Sequence, residues 1–208
     1  MIIKICGITS TEAAQAAKEQ GADLIGFVFT DSRRKIDVPI AEKISALLSG
    51  VGKVGVFLNQ PLREVQEIAQ RCRLDYVQLH GEESPEYCRA VNRPVIKAFR
   101  VGSGFSSEMA AAYTTTWILL DSFVQGQPGG TGVNFDWESA RKSTVHLQQK
   151  FIVAGGLTPE NVASSIRVLR PDGVDVSGGV ETAGVKDPDK IRRFIEAARM
   201  TAERSPSC

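Results

Sequence analysis

A thiol, a carboxyl group and two glycine-rich turns are the features of this sequence best placed to do chemistry. Cys6 closes the run Ile2-Ile3-Lys4-Ile5 and is followed by Gly7. A thiolate at such a point can take a proton from carbon, and the glycine lets a ligand approach the backbone. A free cysteine more often fills apolar space, so Cys6 alone decides nothing. Asp121 ends the apolar stretch Trp117-Ile118-Leu119-Leu120, a setting that suits a general acid. Taken alone, it reads equally well as a helix cap or a loop anchor.

The two turns are Ala154-Gly155-Gly156-Leu157 and Ser177-Gly178-Gly179-Val180, the latter preceded by Asp175. Unhindered amides of this kind hold a phosphate without lysines. That suits a chain with 25 Lys and Arg against 24 Asp and Glu, whose net charge of +1 gives no reason to expect nucleic acid or an anionic membrane as partner. Arg34, within Ser32-Arg33-Arg34-Lys35, has the planar fork that grips a carboxylate, although basic runs are commonly solvated surface. His80 follows Gln78-Leu79, and the loop Gln127-Pro128-Gly129-Gly130-Thr131-Gly132 is flexible enough to wrap a substrate.

These groups must be positioned by a scaffold, and the pattern of apolar runs supplies one. Residues 2–6, 24–29, 52–57, 75–79, 94–99, 116–121, 151–154 and 173–176 read as strands. Amphipathic segments lie between them, at Thr11–Gln20, Ala41–Leu48, Leu62–Cys72, Pro85–Val91, Pro159–Leu169 and Pro188–Met200, with weaker helical patterns near 105–113 and 136–143. Strand and helix alternation without hairpin signals predicts a parallel sheet. Eight short repeats in 208 residues favour closure into a single-domain (β/α)8 barrel over an open doubly wound sheet, because closure pairs every edge. The barrel is expected over residues 1–200, with 201–208 a flexible tail. Every candidate group then falls at a strand end or in the loop after it, the face where barrels of this architecture work.

No signal peptide or membrane-spanning run is read in the sequence, and Cys6, Cys72, Cys88 and Cys208 form no metal-ligand spacing or disulfide framework. A soluble cytoplasmic protein is expected, acting on a small molecule, monomeric in preference to homodimeric.

Read together and in order, Lys-Ile-Cys-Gly-Ile-Thr at 4–9, Ser-Arg-Arg-Lys-Ile at 32–36, Gln-Leu-His-Gly at 78–81, Leu-Leu-Asp at 119–121, Gly-Gly-Thr-Gly-Val-Asn-Phe-Asp-Trp at 129–137, Ala-Gly-Gly-Leu at 154–157 and Asp-Val-Ser-Gly-Gly-Val-Glu at 175–181 resemble the phosphoribosylanthranilate isomerase family over nearly the whole chain. The resemblance implies an isomerase of tryptophan biosynthesis that turns N-(5'-phosphoribosyl)anthranilate into the corresponding 1-deoxyribulose 5-phosphate, with no metal or organic cofactor. It implies Cys6 as general base, Asp121 as general acid and Arg34 on the anthranilate carboxylate. Gly155, Gly156, Ser177, Gly178 and Gly179 fall on its phosphate loops, Asp175 near the ribose hydroxyls, and Gln78, His80, Gly130 and Thr131 on substrate-binding motifs. Two positions depart from the pattern: Gly178 where serine is usual, costing one hydroxyl donor, and Arg33 where proline is common, which would loosen the loop presenting Arg34. Other phosphate-sugar barrels, such as indole-glycerol-phosphate synthases and ribulose-phosphate epimerases, would share the last two loops but not Cys6 with Asp121. A dual-specificity isomerase typically has a carboxylate where this chain has Cys6. A catalytically silent phosphate-binding module is the rival from outside enzymology.

Overall fold

In the computed structural model, residues 1–101, 105–121, 141 and 144–204 are described. Eight parallel strands close into one barrel in sequence order: β1 (Ile2–Cys6), β2 (Leu24–Val28), β3 (Gly52–Phe57), β4 (Tyr76–Leu79), β5 (Val95–Arg100), β6 (Trp117–Asp121), β7 (Phe151–Ala154) and β8 (Gly173–Val176). Closure comes from β1 pairing with β8, Ile2 opposite Gly173 and Lys4 opposite Asp175. The expected single-domain barrel is therefore the fold.

The helices are α1 (Thr11–Glu19), α2 (Val38–Leu47), α3 (Leu62–Arg71), α4 (Pro85–Ala90), α5 (Ser107–Ala111), α6 (Val162–Leu169) and α7 (Pro188–Arg204). Serine caps open three of them: Ser10, Ser84 and Ser106 accept from the amides of Ala13, Tyr87 and Met109. Helix α2 starts three residues earlier than its pattern suggests, because Asp37 and Pro39 open it as cap and first turn. Helix α7 runs to Arg204 with Thr201 buried, so residues 201–204 of the expected tail are helical, and 205–208 lie outside the described residues. The helix expected at 136–143 and the glycine-rich loop with Gly130 and Thr131 also lie outside them, apart from Arg141.

Strand residues alternate between two cores. Ile3 and Ile5 join the larger one, packed against Ala13, Ala14 and Ala17 of α1 and Phe194 and Ala198 of α7. Ile2 turns inward, onto the cluster of Leu24, Val54, Ile96, Leu119 and Ile152 that fills the barrel. By the same alternation Lys4 and Cys6 face inward above Ile2. Gly26 of β2 makes this possible, since a Cβ there would lie 2.8 Å from the Cys6 sulfur and 3.3 Å from the Lys4 side chain.

One buried cluster outside the barrel fixes the loop after β4. Lys97 of β5, 1% exposed, donates to the carbonyls of Leu79 and Gly81 at 3.3 and 2.6 Å and to Glu83 at 3.0 Å. Glu83 also accepts from the amides of Asn59 and Gly81 at 2.8 and 3.0 Å. Burial works to push its carboxyl up, but the Asn59 amide and the Lys97 ammonium outweigh this and hold it below the ordinary 4.5. A depressed carboxyl stabilises the fold above its unfolded value and loses that contribution as pH falls. We expect Lys97→Met to cost about 3–5 kcal/mol at neutral pH, the loss typical when one partner of a buried pair is removed. Protonation of the stranded Glu83 relieves the variant, so urea denaturation should show the gap from wild type narrowing below pH 4.5. A gap independent of pH would contradict this account of the cluster.

Candidate active site

At the C-terminal mouth of the barrel the inward positions become polar. Lys4 is fully buried and donates from Nζ to Asp175 Oδ2 at 3.0 Å. Burial opposes its charge, yet Asp175 and, next, Cys6 more than compensate and raise the ammonium above its ordinary value. Cys6, one pleat above at 7% exposure, is pushed up by burial, while the Lys4 ammonium on the same face pulls the other way. The thiol thus sits in a buried site where Lys4 is the main cation opposing the effect of burial. Asp175 has its second oxygen, Oδ1, buried with no partner among the described residues. A buried acceptor left without a partner is suited to take a hydrogen bond from a bound hydroxyl.

Three strands away from β1, Asp121 ends β6. Its Oδ2 lies 3.2 Å from His80 Nε2, and His80 Nδ1 lies 3.2 Å from Gln78 Nε2. With the Gln78 amide donating into Nδ1, the imidazole proton resides on Nε2 and Asp121 accepts it. Gln78 is 1% exposed, so the row is anchored in the barrel wall and fixes the carboxyl of Asp121. Its Oε1 is a second buried acceptor without a partner among the described residues. The structure thus joins Gln78, His80 and Asp121 into one unit.

Arg34 reaches across Gly7. That glycine has φ +76, and a Cβ on it would overlap the Arg34 side chain, so the arginine's path depends on the absence of a side chain beside Cys6. Its fork is bidentate to Glu181, Nε to Oε1 at 2.6 Å and Nη2 to Oε2 at 2.9 Å. Arg33 adds a longer pair to the same carboxylate at 3.5 Å, and Lys186 a buried one at 2.7 Å. Burial works to push the Glu181 carboxyl up, but hydrogen bonds from Arg34 and Lys186 outweigh it and hold it low. The turn presenting Arg34 is closed by Lys35 N to Ser32 O at 3.0 Å and Arg34 N to Ser32 Oγ at 3.1 Å, and Lys35 bridges to Val28. Arg33 in place of proline therefore does not leave this turn without hydrogen bonds.

The loops after β7 and β8 meet. Gly155 and Gly156 have φ +87 and +61, and Gly156 has open space where a side chain would stand. A Cβ on Gly179 would overlap the Leu157 carbonyl, so only glycine allows the two loops to approach. At Gly178 a Cβ would lie 2.9 Å from Arg34 Nη2, so the missing serine side chain also gives the arginine room. Ser177 donates from its hydroxyl to the Cys6 carbonyl at 3.0 Å, joining the end of β8 to the end of β1. Gly130 and Thr131 fall outside the described residues.

Glu181 and Lys186 were absent from the candidates drawn from the sequence. They face each other across a two-stranded hairpin, β9 (Glu181–Thr182) and β10 (Val185–Lys186). Its turn is Ala183-Gly184, both at positive φ, 50° and 82°. The dipeptide was the available signal, a weak one because alanine rarely adopts that conformation.

Comparison with known proteins places the chain in a family. Residues 3–197 match the family described as N-(5'phosphoribosyl)anthranilate (PRA) isomerase. The chain is 48% identical to the N-(5'-phosphoribosyl)anthranilate isomerase of Desulforudis audaxviator, over 95% of this chain and 98% of that one. Against the Bacillus cereus (strain Q1) enzyme the identity is 46%, over 96% and 98%. Among solved structures, phosphoribosyl anthranilate isomerase from Thermus thermophilus superposes with TM-score 0.84 at 39% identity, covering 96% of this chain and 99% of the other. A phosphoribosyl anthranilate isomerase in complex with reduced 1-(o-carboxyphenylamino)-1-deoxyribulose 5-phosphate does so with TM-score 0.82 at 41% identity, covering 96% and 100%.

Proposed function

The chain belongs to the N-(5'-phosphoribosyl)anthranilate isomerase family, and from that membership we propose how its own side chains carry the reaction. It is an isomerase of tryptophan biosynthesis that converts N-(5'-phosphoribosyl)anthranilate into 1-(2-carboxyphenylamino)-1-deoxyribulose 5-phosphate. Asp121 protonates the furanose ring oxygen, and the ring opens to an iminium. Cys6 then removes the proton from C2, giving an enolamine that tautomerises to the ketone. The substrate nitrogen serves as electron sink.

The observation that carries this reading is the pair of polar units at one mouth: Cys6 against Lys4, itself paired to Asp175 at 3.0 Å, and Asp121 held by His80 at 3.2 Å. A base needs a cation to favour its charged form, and an acid needs a fixed direction; each unit supplies one of these. Asp175 Oδ1 is open to accept a ribose hydroxyl. The amides of Gly155, Gly156, Gly178 and Gly179, with Ser177 between the loops, take the phosphate. Gln78 and His80 line the substrate's path as well as orienting Asp121, and Gly130 and Thr131, outside the described residues, are assigned to substrate binding by the family motif alone. All the assigned groups belong to one barrel, so a single chain is a sufficient working unit, and we place it in the cytoplasm.

Arg34 grips the anthranilate carboxylate. Glu181 occupies the Nε and Nη2 edge of its guanidinium, which leaves the Nη1 and Nη2 edge for a second planar carboxylate. We expect Arg34→Gln to raise KM by about 10- to 100-fold, the size of one charge-assisted interaction, with a smaller change in kcat. Steady-state kinetics checks this, and an unchanged KM would remove Arg34 from the binding site.

A further inference from the structure

We propose that Lys186 is a positioning residue for carboxylate recognition, acting through Glu181 to leave the group around Arg34 with a net positive charge and to aim its guanidinium; this rests on the assignment of the substrate carboxylate to Arg34. An arginine already bidentate to a glutamate is a neutral pair, and a neutral pair is a poor receptor for a second carboxylate. The structure resolves that difficulty with a second buried cation. Lys186, with a side chain 3% exposed, stands directly opposite Glu181 in the β9–β10 hairpin and reaches its Oε1 at 2.7 Å. One carboxylate is thereby shared by two hydrogen-bonded cations, Arg34 and Lys186, with the exposed Arg33 more distant at 3.5 Å, and the group keeps a surplus positive charge on the arginine side.

The lysine is also fixed in direction. Its three donors have three acceptors: Glu181 Oε1, the Ser177 carbonyl at 3.0 Å and the Ser177 hydroxyl at 3.4 Å. Ser177 Oγ in turn donates to the Cys6 carbonyl at 3.0 Å. Glu181 is thus tethered through Lys186 to the ends of β8 and β1, and the plane of the Arg34 fork is set by the strand ends that also present the thiol. The turn residues Ala183 and Gly184, both at positive φ, are what place Lys186 opposite Glu181.

The test compares two ligands on intact protein: reduced 1-(o-carboxyphenylamino)-1-deoxyribulose 5-phosphate and the same compound without the ring carboxylate. Their Kd values are measured by calorimetry for wild type, Arg34→Gln, Lys186→Met, Lys186→Arg and the Arg34→Gln/Lys186→Met double variant. Expected is a loss of about tenfold for the carboxylate ligand alone in Lys186→Met, on the scale of one charge-assisted contact. Lys186→Arg, which keeps the charge, should retain most of that affinity. The double variant should bind no more weakly than Arg34→Gln alone. Unaltered binding of the ligand without the carboxylate certifies that each variant is folded. Should Lys186→Met not fold, Lys186→Gln removes the charge while keeping a donor for Ser177 and makes the same comparison. If Arg34→Gln weakens both ligands alike, the carboxylate assignment itself fails, and the role of Lys186 with it. If Arg34→Gln is selective but Lys186→Met is silent or unselective, or if its effect persists without Arg34, the role given to Lys186 is overturned and the assignment of Arg34 stands.

Discussion

Replacing Cys6 by serine lowers kcat by about 10²- to 10⁴-fold, the range for loss of a general acid or base, with a much smaller change in KM. The substitution keeps the size and hydrogen-bonding reach of the side chain but replaces a thiol by a hydroxyl that does not ionise in the working range. The barrel should tolerate it, since the cavity made by Gly26 suits either atom. The base is only as good as its thiolate. Burial pushes the Cys6 thiol up and Lys4 opposes that shift, so removing the ammonium in Lys4→Met must raise the thiol further. The rise of kcat/KM with pH should therefore move to higher pH in Lys4→Met, because a base is active only above its own pKa. A Cys6→Ser enzyme with wild-type kcat, or a Lys4→Met profile displaced to lower pH, would show that another group takes the proton.

Asp121→Asn is expected to cost kcat a comparable factor, about 10²- to 10⁴-fold. Asparagine fills the same space and still meets His80, so binding should survive while proton donation to the ring oxygen does not. His80→Asn should lose less, because it leaves the acid in place and removes only the partner at 3.2 Å that directs it. Steady-state kinetics on both variants separates the roles. If His80→Asn were the more damaging and Asp121→Asn nearly silent, the histidine would be the donor and Asp121 its support.

Much of this arrangement is legible in the sequence because a parallel barrel writes each strand as a short apolar run and places function immediately after it. Cys6 and Asp121 stand out as candidates that way, while the role of Asp175 enters only through the family resemblance. Lys4 shows where such reading stops: inside an apolar run it looks like an ordinary strand residue, yet it shares a face with Ile2 and Cys6 and is fully buried. The alternation rule would have placed it inward, but only the barrel's closure reveals Asp175 as its partner across β1 and β8. Lys97 and Glu83 are likewise ordinary surface residue types until the β5 register brings the lysine under the loop carrying His80. Glu181 and Lys186 are five positions apart and signalled only by Ala183-Gly184, so a hairpin too short to show apolar alternation hid the hub that holds Arg34. In each case the missing information was a partner distant in sequence or a backbone conformation unusual for its residue.

The central claim is that this chain isomerises phosphoribosylanthranilate with its own thiol and carboxyl group. The most direct measurement follows the anthranilate fluorescence of freshly generated substrate with wild-type protein, in chelator and without added cofactor, beside the Cys6→Ala/Asp121→Asn double variant. Rapid loss of the signal with wild type and none above background with the double variant is the predicted result. No turnover by the wild type, or equal turnover by both, would contradict it.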